Sequence, residues 1–228
     1  MRIDKLLSHT GFGSRKDVRY LLKSRLVKVN ETIITSAKHH VDLKSDQVFV
    51  DGTRIEYEEK VYLMLNKPAG FECTHTPELY PSALELLETY REDYIMVGRL
   101  DVDTEGLLLI TNDGTFSHNI SHGKKEIYKT YYVELKESFD EKYIDILKQG
   151  VFLDDKPLKP AYTKVLDDKT IHLSIAEGKY HQVKRMMHLC NNEVVYLRRI
   201  QIGELKLDDT LFPGESRPLT DEEIEMFI

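Results

Sequence analysis

Asp101, Asp103 and Glu105 alternate along an acidic, glycine-bounded segment, Gly98-Arg99-Leu100-Asp101-Val102-Asp103-Thr104-Glu105-Gly106. Carboxylates so spaced serve as general bases or nucleophiles, or join Asp113 in holding a hard divalent cation. Read alone, they are equally solvated loop charges. What lifts them above that reading is the next stretch. Leu107 to Ile110 is a short apolar run that reads as a buried strand, closed by the turn residues Asn112-Asp113-Gly114. The strand fixes the acids at a sheet edge, where a rigid scaffold holds side chains while the loop leaves room for substrate.

Two further groups belong to elements with clear periodicity. In Tyr128 to Leu135, the residues Lys129, Tyr131, Val133 and Leu135 share one strand face, so Tyr131 is aimed with an apolar set and reads as core on pattern alone. Glu177-Gly178-Lys179-Tyr180-His181 turns the chain into a helix with Val183, Met186, Met187 and Cys190 at helical spacing. Lys184 and Arg185 head that helix and by themselves read as snorkelling surface cations.

The remaining elements form the frame. Val61 to Leu65 and Tyr94 to Val97 read as strands, and Thr170 to Ile175 alternate with Ile171, Leu173 and Ile175 inward. Helices are expected over 82–90, 115–121 and 140–148, and Thr220-Asp221-Glu222-Glu223 caps a last helix ending near Phe227. Strands outnumber helices without the alternation of a doubly wound fold, and glycine-rich phosphate loops are absent. The fold class is therefore α+β with a mixed or antiparallel sheet.

The chain's 228 residues allow two domains with their own cores. The polar stretch from Asp51-Gly52 to Glu58-Glu59-Lys60 marks a boundary between residues 1–57 and 58–228. The net charge of −7 is unevenly divided. Residues 1–57 carry 11 Lys and Arg against 7 Asp and Glu, a net of +4, and residues 58–228 carry 21 against 32, a net of −11. Residues 1–30 alone carry 8 against 2, so a local footprint for phosphate persists within an acidic chain. Ser14-Arg15-Lys16-Asp17 has capping-box spacing, with Val18, Leu21, Leu22 and Leu26 on one stripe of a helix from about 15 to 25. Arg15, Lys16, Arg19 and Lys23 are left to other faces, and Val27-Lys28-Val29 then alternates as a strand into an Asn30-Glu31 turn. No run of 18 apolar residues occurs and no long apolar run precedes the charged Ser14-Arg15-Lys16-Asp17 segment, so neither secretion nor a membrane span is expected. Cys73 and Cys190 lack CxxC spacing and read as reduced, partly buried thiols, so the expected setting is the cytoplasm.

Arg2-Ile3-Asp4-Lys5-Leu6-Leu7, Ser14-Arg15 and Arg25-Leu26-Val27-Lys28-Val29-Asn30 together resemble the small αL-motif RNA-binding module shared by a small-subunit ribosomal protein and several RNA-modifying enzymes. That resemblance covers roughly residues 1–50 and implies RNA contacts by Arg2, Lys5, Ser14, Arg15, Lys16, Arg19 and Lys28. Glu31 stands where that family usually has Gly.

Asn66-Lys67-Pro68-Ala69-Gly70, Gly98-Arg99-Leu100-Asp101 with Thr104 to Leu109, Lys129-Thr130-Tyr131, Glu177 to Met186, Leu197 to Gly203 and Pro213 to Thr220 resemble the ordered motif set of RsuA-type ribosomal RNA pseudouridine synthases. Cys190 stands near where relatives commonly have Gly. The resemblance implies isomerisation of uridine to pseudouridine with no cofactor and no metal. Asp101 would be the catalytic carboxylate, attacking C1′ or taking a proton from C2′, a choice the sequence leaves open. Lys184 would be its cationic partner, which a buried carboxylate needs to stay ionised. Tyr131 would stack on the uracil, and Arg99 would contact RNA as the target nucleotide flips out. The expected partner is ribosomal RNA, in the small-subunit 16S branch and within an assembly intermediate, served by a monomer away from any membrane. Three alternatives stand beside it: a large-subunit synthase of the same family, a metal-dependent phosphodiesterase built on Asp101, Asp103, Glu105 and Asp113, and a non-catalytic RNA-binding assembly factor.

Overall fold

The computed structural model describes residues 1–89, 91–121 and 126–228. The chain divides into two compact units, Met1–Lys60 with Leu87–Tyr94, and Val61–Leu86 with Ile95–Ile228.

In the first unit, α1 (Ile3–His9) and α2 (Arg15–Lys23) accompany four antiparallel strands, β1 (Val27–Val29), β2 (Thr32–Ile33), β3 (Val48–Val50) and β4 (Thr53–Ile55), in the order β2-β1-β3-β4. Ser14 and Asp17 form the expected reciprocal capping box at the start of α2. Val18 and Leu22 of α2 pack on Ile3, Leu6 and Leu7 of α1 and on Val27, Val29, Val48 and Val50 of the sheet. Leu26, expected on the helix stripe, is 41% exposed instead. The helix stops at Lys23 and Arg25 takes a left-handed φ of 61°, which turns Leu26 away from that face. The Asn30-Glu31 turn puts the left-handed conformation on Asn30 (φ 53°), a residue that tolerates it, so Glu31 needs no glycine.

In the second unit the strands are β5 (Tyr62–Lys67), β6 (Ile95–Val97), β7 (Glu105–Thr111), β8 (Lys129–Leu135), β9 (Phe152–Leu153), β10 (Lys156–Pro157), β11 (Tyr162–Asp167), β12 (Thr170–Ile175), β13 (Val194–Ile202), β14 (Leu205–Lys206) and β15 (Ser216–Pro218). Their main sheet runs β11-β12-β8-β13-β7-β5-β15, with β14 beside β13 and β6 beside β7, and β9 pairs with β10 separately. The β13–β7 pair is parallel and the other described pairs are antiparallel, giving the mixed α+β sheet that the strand-rich pattern predicts. Leu107, Leu108, Leu109 and Ile110 are all fully buried, so both faces of β7 are covered. At about 1.5–3 kcal/mol for each fully buried aliphatic side chain, that strand is strongly held, and the loop before it inherits the anchor.

The helices are α3 (Gly114–Ser121), α4 (Lys142–Gln149), α5 (Gln182–Leu189) and α6 (Asp221–Glu225). Thr220 and Glu223 form the capping box of α6. The helix expected over 82–90 is instead one 3₁₀ turn, Ala83–Leu86, after which Leu87–Tyr94 belongs to the first unit, and residue 90 lies outside the described residues. Leu84 and Leu87 are buried and Leu86 is half-buried. At the end of α5 the left-handed residue is Asn191 (φ 54°), which frees buried Cys190 from any need to be glycine. No described helix is long and apolar enough to cross a membrane.

Candidate active site

The acidic loop is bound from below by a lysine. Lys67, fully buried at the end of β5, donates from Nζ to the carbonyls of Pro68 (2.9 Å), Asp101 (3.2 Å), Val102 (3.4 Å) and Thr104 (2.9 Å). Burial pulls its ammonium below the ordinary lysine value, and the ring of carbonyl oxygens satisfies it. The amides of Gly70 and Thr104 add bonds to Val102 O and Asp101 O. Gly106 closes the loop at φ +100°, where a Cβ would collide with the backbone of Arg199 on the parallel strand β13.

On this platform Asp101 Oδ2 lies 3.1 Å from Lys184 Nζ and 3.7 Å from His181 Nε2. Lys184 reaches Asp103 Oδ1 at 2.6 Å as well. The Asp101–Lys184 pair is not buried outright, since 25% of the lysine side chain and 31% of the aspartate remain accessible. Both stand on the wall of an open cavity. Burial works to lower Lys184, but its hydrogen bonds to Asp103 and Asp101 prevail and hold the ammonium above its usual value. Burial likewise works to raise Asp103, and Lys184 outweighs it to hold that carboxyl below the usual range.

The cavity measures about 980 Å³ and is lined by Asp101, Tyr131 and Lys184 together with Arg99, Lys129 and Arg199. Tyr131 is 7% exposed on the inward face of β8, whose Lys129, Val133 and Leu135 are buried with it as the alternation predicts. Arg99 is exposed beside Asp101. The four carboxylates that a metal reading would join are divided among three partners. Asp101 and Asp103 hold Lys184, Glu105 accepts from Tyr196 Oη (2.7 Å), and Asp113 accepts from Tyr62 Oη (2.9 Å). Among the described residues no three His, Cys, Asp or Glu side chains are grouped to hold a metal ion.

The cations of the first unit fare differently. Arg15, Lys16, Arg19 and Lys28 are exposed and Lys5 is half-buried. Arg2 is bound bidentately to buried Asp4 (3.0 and 2.6 Å), and the Ser14 hydroxyl donates to Asp17 (2.6 Å) in the capping box. Lys67, Lys129 and Arg199 stand out only in three dimensions. The available signal was charge on the inward parity of an otherwise apolar strand, which Lys129 shows in β8.

The family model for RNA pseudouridylate synthases matches residues 61–189, and the S4 domain model matches residues 1–48. The chain belongs to the RNA pseudouridylate synthase family. This synthase is 41% identical to the uncharacterised RNA pseudouridine synthase YtzG of Bacillus subtilis, over 99% of this chain and 98% of that one. It is 38% identical to the ribosomal small subunit pseudouridine synthase A of Haemophilus influenzae over the whole of both chains. A crystal structure of a pseudouridylate synthase, 37% identical, matches all of both chains with a TM-score of 0.71. The matched synthase segment contains Asp101, Tyr131 and Lys184, and the matched S4 segment contains the exposed cations of α2.

Proposed function

We propose that this synthase converts one uridine of small-subunit 16S ribosomal RNA to pseudouridine, with Asp101 as the reacting carboxylate. The relatives named for the small ribosomal subunit, aligned end to end, support that substrate. One observation carries the chemistry: Asp101 stands on a loop tied down by Lys67, faces a cavity of about 980 Å³, and pairs with the Lys184 cation at 3.1 Å. Uracil leaves C1′ of its ribose, turns and rejoins through C5. An ionised carboxylate beside the ribose serves both available routes, attack on C1′ and removal of the C2′ proton. Tyr131 offers its ring to the extruded base, and Arg99 at the rim contacts the RNA as the nucleotide leaves its stack.

Residues 1–57 act as the RNA-gripping domain, with Arg15, Lys16, Arg19 and Lys28 set against phosphates and residues 58–228 carrying the chemistry. The enzyme works as a monomer in the cytoplasm on an assembly intermediate of the small subunit. Mapping pseudouridines in ribosomal RNA from a deletion strain and its parent tests the substrate. Loss of one site in small-subunit RNA is expected, and loss of a large-subunit site would replace the 16S assignment.

A further inference from the structure

Two cations in the cavity wall have no role in the chemistry given so far. Lys129 is 5% exposed and Arg199 is 1% exposed, and both line the cavity. Arg199 donates from Nε to the carbonyl of Leu107 (2.8 Å), while its buried Nη2 has no hydrogen-bond partner among the described residues. Lys129 Nζ has a neutral carbonyl, that of Ile127 at 3.3 Å. Neither carries a carboxylate partner among the described residues. Burying two adjacent unneutralised cations is costly, and an approaching anion removes the cost.

Their position says which anion. In the β8–β13 register Arg199 is opposite Tyr131, and Lys129 is two residues before Tyr131 on the same face. Gly98 lies against both cations, for a Cβ there would stand 3.3 Å from Arg199 Nη1 and 3.7 Å from Lys129 Cε. A backbone phosphate is charged at every stage and remains partly hydrated, which suits exposed Arg99. A nearly closed pair of donors beside Tyr131 suits a flat edge that is neutral when it enters and becomes negative only during reaction.

We propose that Lys129 and Arg199 form an anion subsite for the carbonyl edge of the uracil ring, accepting the negative charge that the base acquires when it leaves the ribose. The inference rests on the pseudouridine reading above. As C1′–N1 breaks, the bonding pair stays on the base and spreads to O2 and O4, while Asp101 satisfies the sugar by bonding C1′ or by taking the C2′ proton. The C1′–C5 bond then forms from the base's electrons as the Asp101–C1′ bond breaks and its pair returns to the carboxylate, or as the C2′ proton returns from Asp101, and the C5 hydrogen is lost as N1 gains one. Net, a hydrogen has moved from C5 to N1 and nothing is oxidised.

Burial, and then the charge of Arg199, pushes the Lys129 ammonium down to about 8. The other titratable groups of the cavity wall include Cys73, Asp101, Asp103, His181 and Lys184, and Arg199 is the charged group that acts on Lys129. A lowered lysine loses its charge as pH rises through that value, so the subsite weakens above about pH 8.

The test uses the full-length protein in excess over ribosomal RNA, with single-turnover rates followed by nucleoside mass spectrometry from pH 6 to 10 and RNA affinity measured in parallel. Wild-type protein must first form pseudouridine; if it does not, the functional reading fails and the subsite is lost with it. Given that activity, Lys129→Met is expected to slow turnover about 10²–10³-fold at neutral pH with little change in RNA affinity. Lys129→Arg is expected to recover part of the rate and move the alkaline fall to higher pH. Rates near wild type for Lys129→Met, or a rate loss matched by lost RNA affinity, would overturn the subsite, the latter in favour of a phosphate contact. If urea unfolding shows Lys129→Met to be misfolded, Lys129→Arg decides, because an unmoved alkaline limb also overturns it.

Discussion

Lys184 Nζ bridges two carboxylates of one loop, at 3.1 Å from Asp101 and 2.6 Å from Asp103. The shorter contact goes to the more exposed acid, with 70% of the Asp103 side chain accessible against 31% for Asp101. An exposed ion pair is worth about 0–1 kcal/mol. Both carboxylates stand on the cavity wall, so one lysine ties two acids of the loop together there.

Lys184→Met removes that charge from a pair that is accessible in part. We expect a fall of about 10–100-fold in single-turnover rate rather than complete loss, because a hydrogen bond between charged groups such as the 3.1 Å one is worth about 1.5–3 kcal/mol. Lys184→Arg keeps the charge and should retain more activity. A rate near wild type, or a defect traced wholly to RNA affinity, would make Lys184 a phosphate contact instead.

The exposed cations of α2 give a prediction that does not depend on catalysis. Each phosphate contact releases counterions, so binding weakens with salt. Replacing Lys16 and Arg19 by Gln should flatten the slope of log affinity against log salt by roughly 0.7–0.9 per lost contact, without unfolding a unit whose core they do not enter. An unchanged slope would remove this helix from the RNA interface.

Near the chain's end, Arg217 holds Glu223 through two 2.7 Å bonds and Asp208 through one of 2.6 Å. Thr210 and then Arg217 hold Asp208 down to about 2, and Arg217 draws Glu223 below its ordinary value of 4.5. A carboxyl lowered in the folded state stabilises above its unfolded value and stops doing so as pH falls through the folded one. Arg217→Met should therefore lower the melting temperature at pH 7 and flatten its decline between about pH 4.5 and 2. Melting curves of equal slope for both proteins across that range would show that the cluster contributes nothing.

The strands β1, β5, β6, β7, β8 and β12 and the acidic loop were legible because burial writes itself as period two or as an unbroken apolar run, as in β8 and Leu107–Ile110, whereas the nine-residue β13 was not. Both capping boxes were legible because their spacing is local. What the sequence hid is what the tertiary fold decides. The seven-residue α1 carries no side-chain cap to announce it, and its identity comes from packing on α2 and the small sheet. The helix expected over 82–90 gives way to a single turn ending at Leu86, where the chain passes to the other unit. Asp101, Tyr131 and Lys184 were found by resemblance, since each has an ordinary reading on pattern alone. Lys67 and Arg199 are buried polar residues whose purpose depends on carbonyls and glycines far away in the chain, which no local spacing records.

The most direct test of the account is single-turnover formation of pseudouridine by Asp101→Asn, with enzyme in excess over ribosomal RNA that the wild type modifies. The exchange keeps the shape of the side chain and removes the reacting carboxylate, and the carbonyl bonds from Lys67 to the loop remain. Product formation should fall by about a thousandfold or more while RNA affinity and the melting temperature stay close to wild type. Turnover at a wild-type rate by a folded, RNA-binding Asp101→Asn protein would contradict the assignment of Asp101 as the reacting group.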